Sequence, residues 1–154
     1  MTGIEDLLKL PFSSLFSLWQ LVSDRPRLKL ECGPNSFPNE DEVGNFLGFW
    51  VKVINPTKDT IYFERLEAKD SKGEIFFPMI LNNIEKEILP RRNIVLIIPC
   101  GHIANTTPKE ISIVDATEKH HKLKGRKLSK AVAELKAEFD RLERLGLEVH
   151  PRRK

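Results

Sequence analysis

The sequence predicts a mainly β protein: one antiparallel sandwich of about seven strands, flanked by an N-terminal and a C-terminal amphipathic α-helix. The first of three observations is the spacing of apolar residues, which is helical to about Val22, strand-like from Arg27 and helical again from Leu128. The second is that short strand patterns are separated by turns, which is typical of antiparallel sandwiches. The third is the composition, 40% apolar and 31% charged, which indicates a folded globular domain.

The chain of 154 residues fits one domain with additions at both ends. The changes of period divide it into four segments. We expect an N-terminal helix over 1–24, kinked near Pro11, and a sandwich over 27–125. A C-terminal helix over 127–147 and a basic tail over 148–154 follow.

The N-terminal helix is predicted from its caps and its polar stripe. Thr2 and Glu5 have the spacing of a capping box, Pro11 kinks the helix because it lacks an N–H, and Pro26 ends it. One narrow polar stripe crosses an otherwise apolar surface and consists of Asp6, Ser13, Ser17, Gln20 and Asp24. Such a helix is mostly buried, and its large apolar side chains include Phe12, Phe16 and Trp19.

The same helix is too short to be a good membrane span. Its uncharged run, Leu10 to Ser23, has 14 residues, whereas a spanning helix needs about 20 and at least about 17. Docking on the protein itself and burial in a bilayer interface both remain compatible with the pattern. We favour docking on the protein.

Seven strands are predicted between the helices. Asn55, Pro56 and Asp59 predict a hairpin turn, and Gly73 predicts a second tight turn. We expect residues 33–45, which hold two prolines, to form a surface loop, and residues 79–88 to form either a helical turn or a connection between sheets. The predicted strands are 27–32, 46–55, 60–70, 74–78, 93–99, 110–116 and 119–124.

Two of these strands are apolar on both faces. Strand 46–55 carries Trp50 and Ile54 on its second face, and strand 93–99 carries Val95 and Ile97. In a sandwich of immunoglobulin type, strands in these positions are neighbours, so the sequence predicts one apolar patch centred on Trp50. Proteins seldom expose a large apolar patch, and the N-terminal helix is the nearest candidate cover. Burial there would stabilise each large side chain by roughly 1.5–3 kcal/mol.

The C-terminal helix has an apolar seam that steps by four and three residues. Gly146 is expected to end the helix. The seam could rest on the sandwich, on the N-terminal helix or on a second copy of the chain, so a homodimer through this helix is one candidate. The seam residues are Leu128, Val132, Leu135, Phe139 and Leu142.

The sequence shows no catalytic constellation and no cofactor motif. Cys100, His102 and His120 are weak candidates for a metal site, because structural zinc sites usually have two tight ligand pairs. We therefore expect a non-enzymatic protein-interaction or structural module, whose partner is another protein or a second copy. The alternatives are a metal-dependent enzyme or metal-binding protein built on those three residues, and a membrane-surface adaptor using the N-terminal helix and the basic C-terminal arm.

Charge is distributed unevenly along the chain. Residues 119–154 hold 12 Lys/Arg and 5 Asp/Glu, a net of +7, against 13 and 17, a net of −4, in residues 1–118. The basic arm lacks aromatic residues between its charges, apart from Phe139 in the seam, so nucleic-acid binding is unsupported. No secretory signal is apparent, and Cys32 and Cys100 are expected to be buried thiols. We expect a cytoplasmic protein, with peripheral membrane association as the alternative.

The chain also resembles a class of proteins in the order of its segments. An apolar helix is followed by "DRPRLKL", "FWVKVINPTKDTIYFERLEAKDSKGEIFF" and "ISIVDATEKHHKL". This order resembles small uncharacterised bacterial proteins in which an N-terminal apolar segment precedes an immunoglobulin-like sandwich, over roughly residues 18–122. The resemblance implies the fold and no assigned activity, so no functional residues are carried over.

Overall fold

The computed structural model of the chain describes residues 27–38 and 44–147. The N-terminal helix predicted over 1–24, with its kink at Pro11, lies outside the described residues, as does the basic tail predicted over 148–154. Phe12, Phe16 and Trp19 lie outside them for the same reason.

The described chain forms two antiparallel sheets, which confirms the mainly β fold with a C-terminal helix. The three-stranded sheet has the order β1-β2-β6, and the five-stranded sheet has the order β4-β3-β7-β8, with β5 also paired to β3. Residues 27–38 and 44–147 contain eight strands, where about seven are predicted. Their bounds are β1 Lys29–Pro38, β2 Asn45–Ile54, β3 Ile61–Lys69, β4 Ile75–Phe76, β5 Glu87–Ile88, β6 Asn93–Pro99, β7 Glu110–Asp115 and β8 His120–Lys124.

The inner faces of the two sheets share one hydrophobic core. Alternation along β2 places Phe49, Val51 and Val53 on its inner face, and each has 0% exposure. From the five-stranded sheet, Ile111 and Ile113 of β7 enter the same core cluster, also fully buried. The apolar rows predicted from the sequence therefore meet between the sheets.

The prediction of a surface loop over residues 33–45 is wrong in its first half. Strand β1 continues to Pro38 and pairs along its whole length with β2. Prolines are tolerated here because β1 is an edge strand, where a missing N–H need not break a ladder. Phe37 also stabilises the extension, since its ring lies 5.9 Å from that of Phe46 across the strand pair.

Residues 79–88 form no helical turn and bridge the edges of the two sheets, although β4 before the stretch and β5 at its end both pair with β3. The N–H of Leu81 donates to the carbonyl oxygen of Ile97 on β6, at 2.8 Å. Seven residues later, Ile88 in β5 pairs with Ile61 of β3 and is fully buried. The segment therefore runs from the edge of one sheet to the edge of the other.

Two helices complete the described fold. Helix α1, Cys100–Ala104, follows β6, and helix α2, Arg126–Arg144, follows β8. Helix α2 contacts β1, β8 and α1, so it lies across the side of the sandwich where the two edge strands approach each other. It ends as predicted at Gly146, which has φ +70°. The N–H groups of Gly146 and Leu147 bond back to the carbonyls of Glu143 and Leu142, respectively. Neither of these two described helices is long and apolar enough to cross a membrane.

Candidate interaction surface

The outer face of the three-stranded sheet carries a row of apolar side chains. Strands β2 and β6 are neighbours, and Trp50 stands opposite Ile97 in their register, as the predicted patch requires. On its other side Trp50 stands opposite Gly33 of β1. We call this surface the Trp50 face; it consists of Phe37, Phe46, Trp50, Ile54, Val95 and Ile97.

Two glycines allow the aromatic rings to lie close to the sheet. A Cβ atom at Gly33 would stand 3.0 Å from Cζ2 of the Trp50 indole. A Cβ atom at Gly48 would stand 2.9 Å from Cδ2 of Phe37. Both distances are shorter than a normal van der Waals contact, so any other residue would push the ring away from the sheet. The glycines therefore make the Trp50 face flat.

The Trp50 face is partly open to water. Trp50, Ile54 and Ile97 are half-buried, and Val95 is 36% exposed. Lys52 is interposed between Trp50 and Ile54 on the same face, so the end towards Ile54 is mixed in character. The end towards Phe46 is aromatic. An apolar centre with polar neighbours is the composition of a protein-interaction surface.

The β6 edge of the same sheet is already hydrogen-bonded to the segment that precedes β5. The side-chain amide of Asn82 donates to the carbonyl oxygen of Val95 at 2.7 Å and accepts from the N–H of Ile97 at 2.9 Å. The backbone N–H of Leu81 donates to the carbonyl oxygen of Ile97. An incoming strand would have to displace these bonds, so the face of the sheet is more available to a partner than its β6 edge.

The outer face of the five-stranded sheet has the opposite character. Arg65 bonds Glu67 at 2.7 Å and Glu118 at 3.0 Å, and Lys122 lies 3.3 Å from Glu110. These ion pairs belong to a surface that water can solvate. The outer face of the three-stranded sheet differs in having an apolar centre at Trp50, with its charged residues Lys29, Glu31 and Lys52 towards the Ile54 end.

The predicted seam of α2 is buried within its own chain. Leu128, Val132, Leu135 and Phe139 are at most 8% exposed and belong to the sandwich core, and Leu142 packs against that core. Of the three supports that the sequence allows, the sandwich is therefore the one observed in the described residues. A homodimer through this helix would have to use its other face, which is exposed and largely charged.

The weak metal candidates lie on different parts of the fold. Cys100 is buried in α1, and Nδ1 of His102 accepts the N–H of Met79 at 3.2 Å. His120 projects from the outer face of β8, with Nδ1 3.8 Å from a carboxylate oxygen of Glu67. Within residues 27–38 and 44–147, no three His, Cys, Asp or Glu side chains are grouped so that they could hold a metal ion.

The two cysteines are poor nucleophiles in this fold. Neither Cys32 nor Cys100 forms a disulfide. Burial raises the pKa of each thiol to about 11, although the charge of Lys127 partly offsets the effect at Cys32. Thiolate is the reactive form, so both side chains are expected to remain protonated and inert at neutral pH.

A buried Asp115–His121 pair was not anticipated from the sequence. Nε2 of His121 lies 2.9 Å from Oδ2 of Asp115, and the N–H of Leu28 donates to its Nδ1 at 3.0 Å. Because Nδ1 accepts this hydrogen bond, the ring proton is on Nε2, which donates a hydrogen bond to Oδ2 of Asp115. The second oxygen of Asp115 accepts from Thr117 and from the N–H of Lys119. Both ring nitrogens are used, so the pair fixes the start of β1 rather than activating a nucleophile.

A groove of about 560 Å³ lies beside the same turn, between β3 and the β7–β8 connection. Its carboxylates already have partners: Asp115 is bonded as described, and Glu118 forms a two-pronged ion pair with Arg65. The groove is also lined by Tyr62, which is 49% exposed. The acidic groups of the groove therefore stabilise the turn through hydrogen bonds and an ion pair. This arrangement does not indicate acid–base chemistry.

Comparison of the chain with protein-family models, with curated proteins and with solved structures gives no match. The resemblance to small bacterial proteins with an immunoglobulin-like sandwich stays a prediction. The functional argument therefore depends on the surface itself.

The sequence identified the centre of the Trp50 face but not its aromatic end. Trp50 and Ile54 lie where they are predicted, on the second face of β2. Phe37 was missed because residues 33–45 were interpreted as a loop, whereas Phe46 lies in the predicted strand 46–55 but was not assigned to its second face. The signal that could have found them is the pair Gly33 and Gly48, since glycine within a strand often marks a close approach by another group.

Proposed function

We propose that this protein is a non-enzymatic protein-interaction module whose binding surface is the Trp50 face. The observation that carries the proposal is the flat aromatic surface formed by Trp50 over Gly33 and by Phe37 over Gly48. Large aromatic side chains contribute most to protein interfaces, because they bury much area at little cost in conformational entropy. The charged outer face of the other sheet provides the internal contrast.

The occupant that fits this surface is an amphipathic helix. A flat sheet face buries apolar area best against the apolar side of a helix, which is the usual second layer of a protein domain. Strand addition is disfavoured at β6 by the bonds of Asn82. The partner is therefore a protein segment with apolar residues at helical spacing and a polar opposite side.

Three sequence-based expectations belong to this proposal. The sandwich is taken to be of the immunoglobulin-like type, which is supported by the adjacency of β2 and β6. The protein is taken to act in the cytoplasm, which is supported by two cysteines outside any disulfide. The resemblance to small bacterial proteins with this arrangement is also part of the proposal, and the order of the segments in the sequence supports it.

The test uses a designed amphipathic helical peptide of leucine and lysine, unrelated in sequence to residues 1–24 and labelled with fluorescein, as the partner helix. It is titrated with full chain carrying Phe16→Asp, so that the chain's own N-terminal segment does not compete. Fluorescence anisotropy should show saturable binding at micromolar concentration. The added substitution Trp50→Glu should abolish binding, because it places a charge in the centre of the face.

The matched control is Tyr62→Glu, which places the same charge on an exposed aromatic position of the other sheet. Binding should survive this change. Absence of saturable binding, or equal binding by the Trp50→Glu chain, would refute the proposed function.

A further inference from the structure

We propose that residues 8–22 of the same chain are the resident occupant of the Trp50 face, so that a partner helix must displace them. This inference rests on the proposed function and adds its regulation. The observations are the point at which the chain enters the sandwich, the dimensions of the face and the chemistry of the two surfaces.

The chain enters the sandwich at one end of the Trp50 face. Lys29, the first residue of β1, stands opposite Ile54 in the register of the sheet. The preceding N–H, that of Leu28, is held by Nδ1 of His121 at 3.0 Å. The point of entry is therefore fixed, and residues 1–26 connect to the domain beside the Ile54 end of the face.

The lengths agree. From Ile54 to Phe46 the face spans eight residue steps of β2, or about 26 Å at 3.3 Å per residue. The uncharged run Leu10 to Ser23 has 14 residues, and as a helix it would be about 21 Å long at 1.5 Å per residue. Residues 24–27, with Pro26 among them, are sufficient to reverse the chain direction, since four extended residues reach about 13 Å.

The two surfaces also match in chemistry. The Trp50 face offers aromatic and aliphatic side chains, with the charged residues Lys29, Glu31 and Lys52 near the Ile54 end. The segment offers apolar residues around most of its circumference, with Ser13, Ser17 and Gln20 in one polar stripe. When the apolar side lies on the sheet, the stripe can face water. The contact removes from water the apolar area that each surface would otherwise expose.

The covalent tether strengthens even a weak contact. A short linker gives the segment an effective concentration on the order of 1 mM at the face. If the free segment binds with Kd of about 10 μM, the closed state outnumbers the open state about 100-fold. A partner helix then binds about 100-fold more weakly to the wild-type chain than to an open variant.

The experiment uses Trp50 as its own reporter. The chain has two tryptophans, so Trp19→Phe leaves Trp50 alone. In this full-length variant, acrylamide should quench Trp50 weakly. Adding Phe16→Asp on the apolar side, or Leu15→Asp as a second variant, should raise the quenching constant several-fold and shift the emission to the red. Ser17→Asp, the same charge in the polar stripe, should leave both unchanged. Circular dichroism confirms that the sheets persist in each variant.

Three results would overturn the inference. Equal quenching of Trp50 in the Trp19→Phe chain and in its Phe16→Asp derivative would show that residues 8–22 do not cover the face. Protection that is lost on dilution would assign the face to a second copy. Protection that appears only with anionic phospholipid vesicles would assign the segment to lipid. The proposed function is judged separately, since the labelled peptide would then bind wild-type and Phe16→Asp chains with the same affinity.

Discussion

Asn55 determines the turn between β2 and β3. Its side chain has 0% exposure, and each polar atom of its amide is used. The amide nitrogen donates to the carbonyls of Asp59 and Ile88, at 2.7 and 2.9 Å. The amide oxygen accepts from the N–H and the hydroxyl of Thr57. One side chain therefore closes the hairpin and also ties it to β5.

Asn55→Ala should lower the free energy of unfolding by about 3 kcal/mol, because it removes the four hydrogen bonds made by this buried amide. Urea unfolding followed by circular dichroism measures the change. Asn93→Ala, at an exposed position opposite Ile54, is the control and should stay within about 0.5 kcal/mol of wild type. Equal stability of wild type and Asn55→Ala would show that the turn does not need this side chain.

The stability of the protein should depend on pH through His121. Burial lowers the pKa of this histidine from 6.5, and the bond to Asp115 offsets only part of the effect. The unfolded chain therefore binds a proton here at a higher pH than the folded chain. The stabilising contribution of neutral His121 is fully present above pH 6.5. It is lost as the pH falls through the lowered pKa of the folded state.

Urea unfolding at pH 7.5, 6 and 5 should show this decline in wild type and in His120→Asn, a control on the exposed neighbour. In His121→Asn the decline over the same range should be smaller, although the variant is less stable at every pH. At lower pH Asp115 adds a second loss. Burial would raise its pKa, but the bonds from Thr117, His121 and Lys119 outweigh burial and lower it below 3.8. A flat wild-type profile between pH 7.5 and 5 would contradict the assigned role of His121.

At the scale of elements, α2 closes the open side of the sandwich. Leu135 is fully buried near the middle of the helix, while Ala137 on the same helix is exposed. The helix is therefore part of the domain core and not an independent appendage. Its removal would expose the edge strand β1 and the apolar residues beneath it.

Leu135→Ala should lower the free energy of unfolding by about 3 kcal/mol, through lost burial and the cavity that remains. Ala137→Glu is the matched control and should change stability by less than about 0.5 kcal/mol. Chemical denaturation of both variants checks the result. If Leu135→Ala unfolds like wild type but alters sedimentation, the seam serves contacts between chains instead.

Elements with a strong repeating pattern were predictable, and elements fixed by distant contacts were not. The longer strands β2, β3, β6 and β7 and the helix α2 follow from apolar spacing. The second half of β1 was hidden because its prolines indicate a loop, and only its edge position makes them acceptable. Strand β5 has two residues and no pattern of its own; it exists because Ile88 pairs with β3.

At the scale of the whole molecule, the outer faces of the two sheets differ: one has an apolar centre at Trp50 with charged residues towards Ile54, and the other carries several ion pairs. The sequence could predict the apolar patch, because both faces of β2 and β6 carry apolar residues. It could not predict the Asp115–His121–Leu28 connection, since Leu28 and His121 are separated by 93 positions. Alternation in a strand shows that two adjacent histidines point apart, but not which of them is buried.

The central claim is that the Trp50 face is covered by the chain's own residues 8–22. Nuclear Overhauser contacts between the Trp50 indole protons and the side chains of that segment test it most directly. We expect contacts from the indole to Phe12, Phe16 or Trp19, and they should be absent from isotope-filtered spectra of mixed labelled and unlabelled chains. An indole that shows contacts only to its own sheet, or contacts only between chains, would contradict the claim.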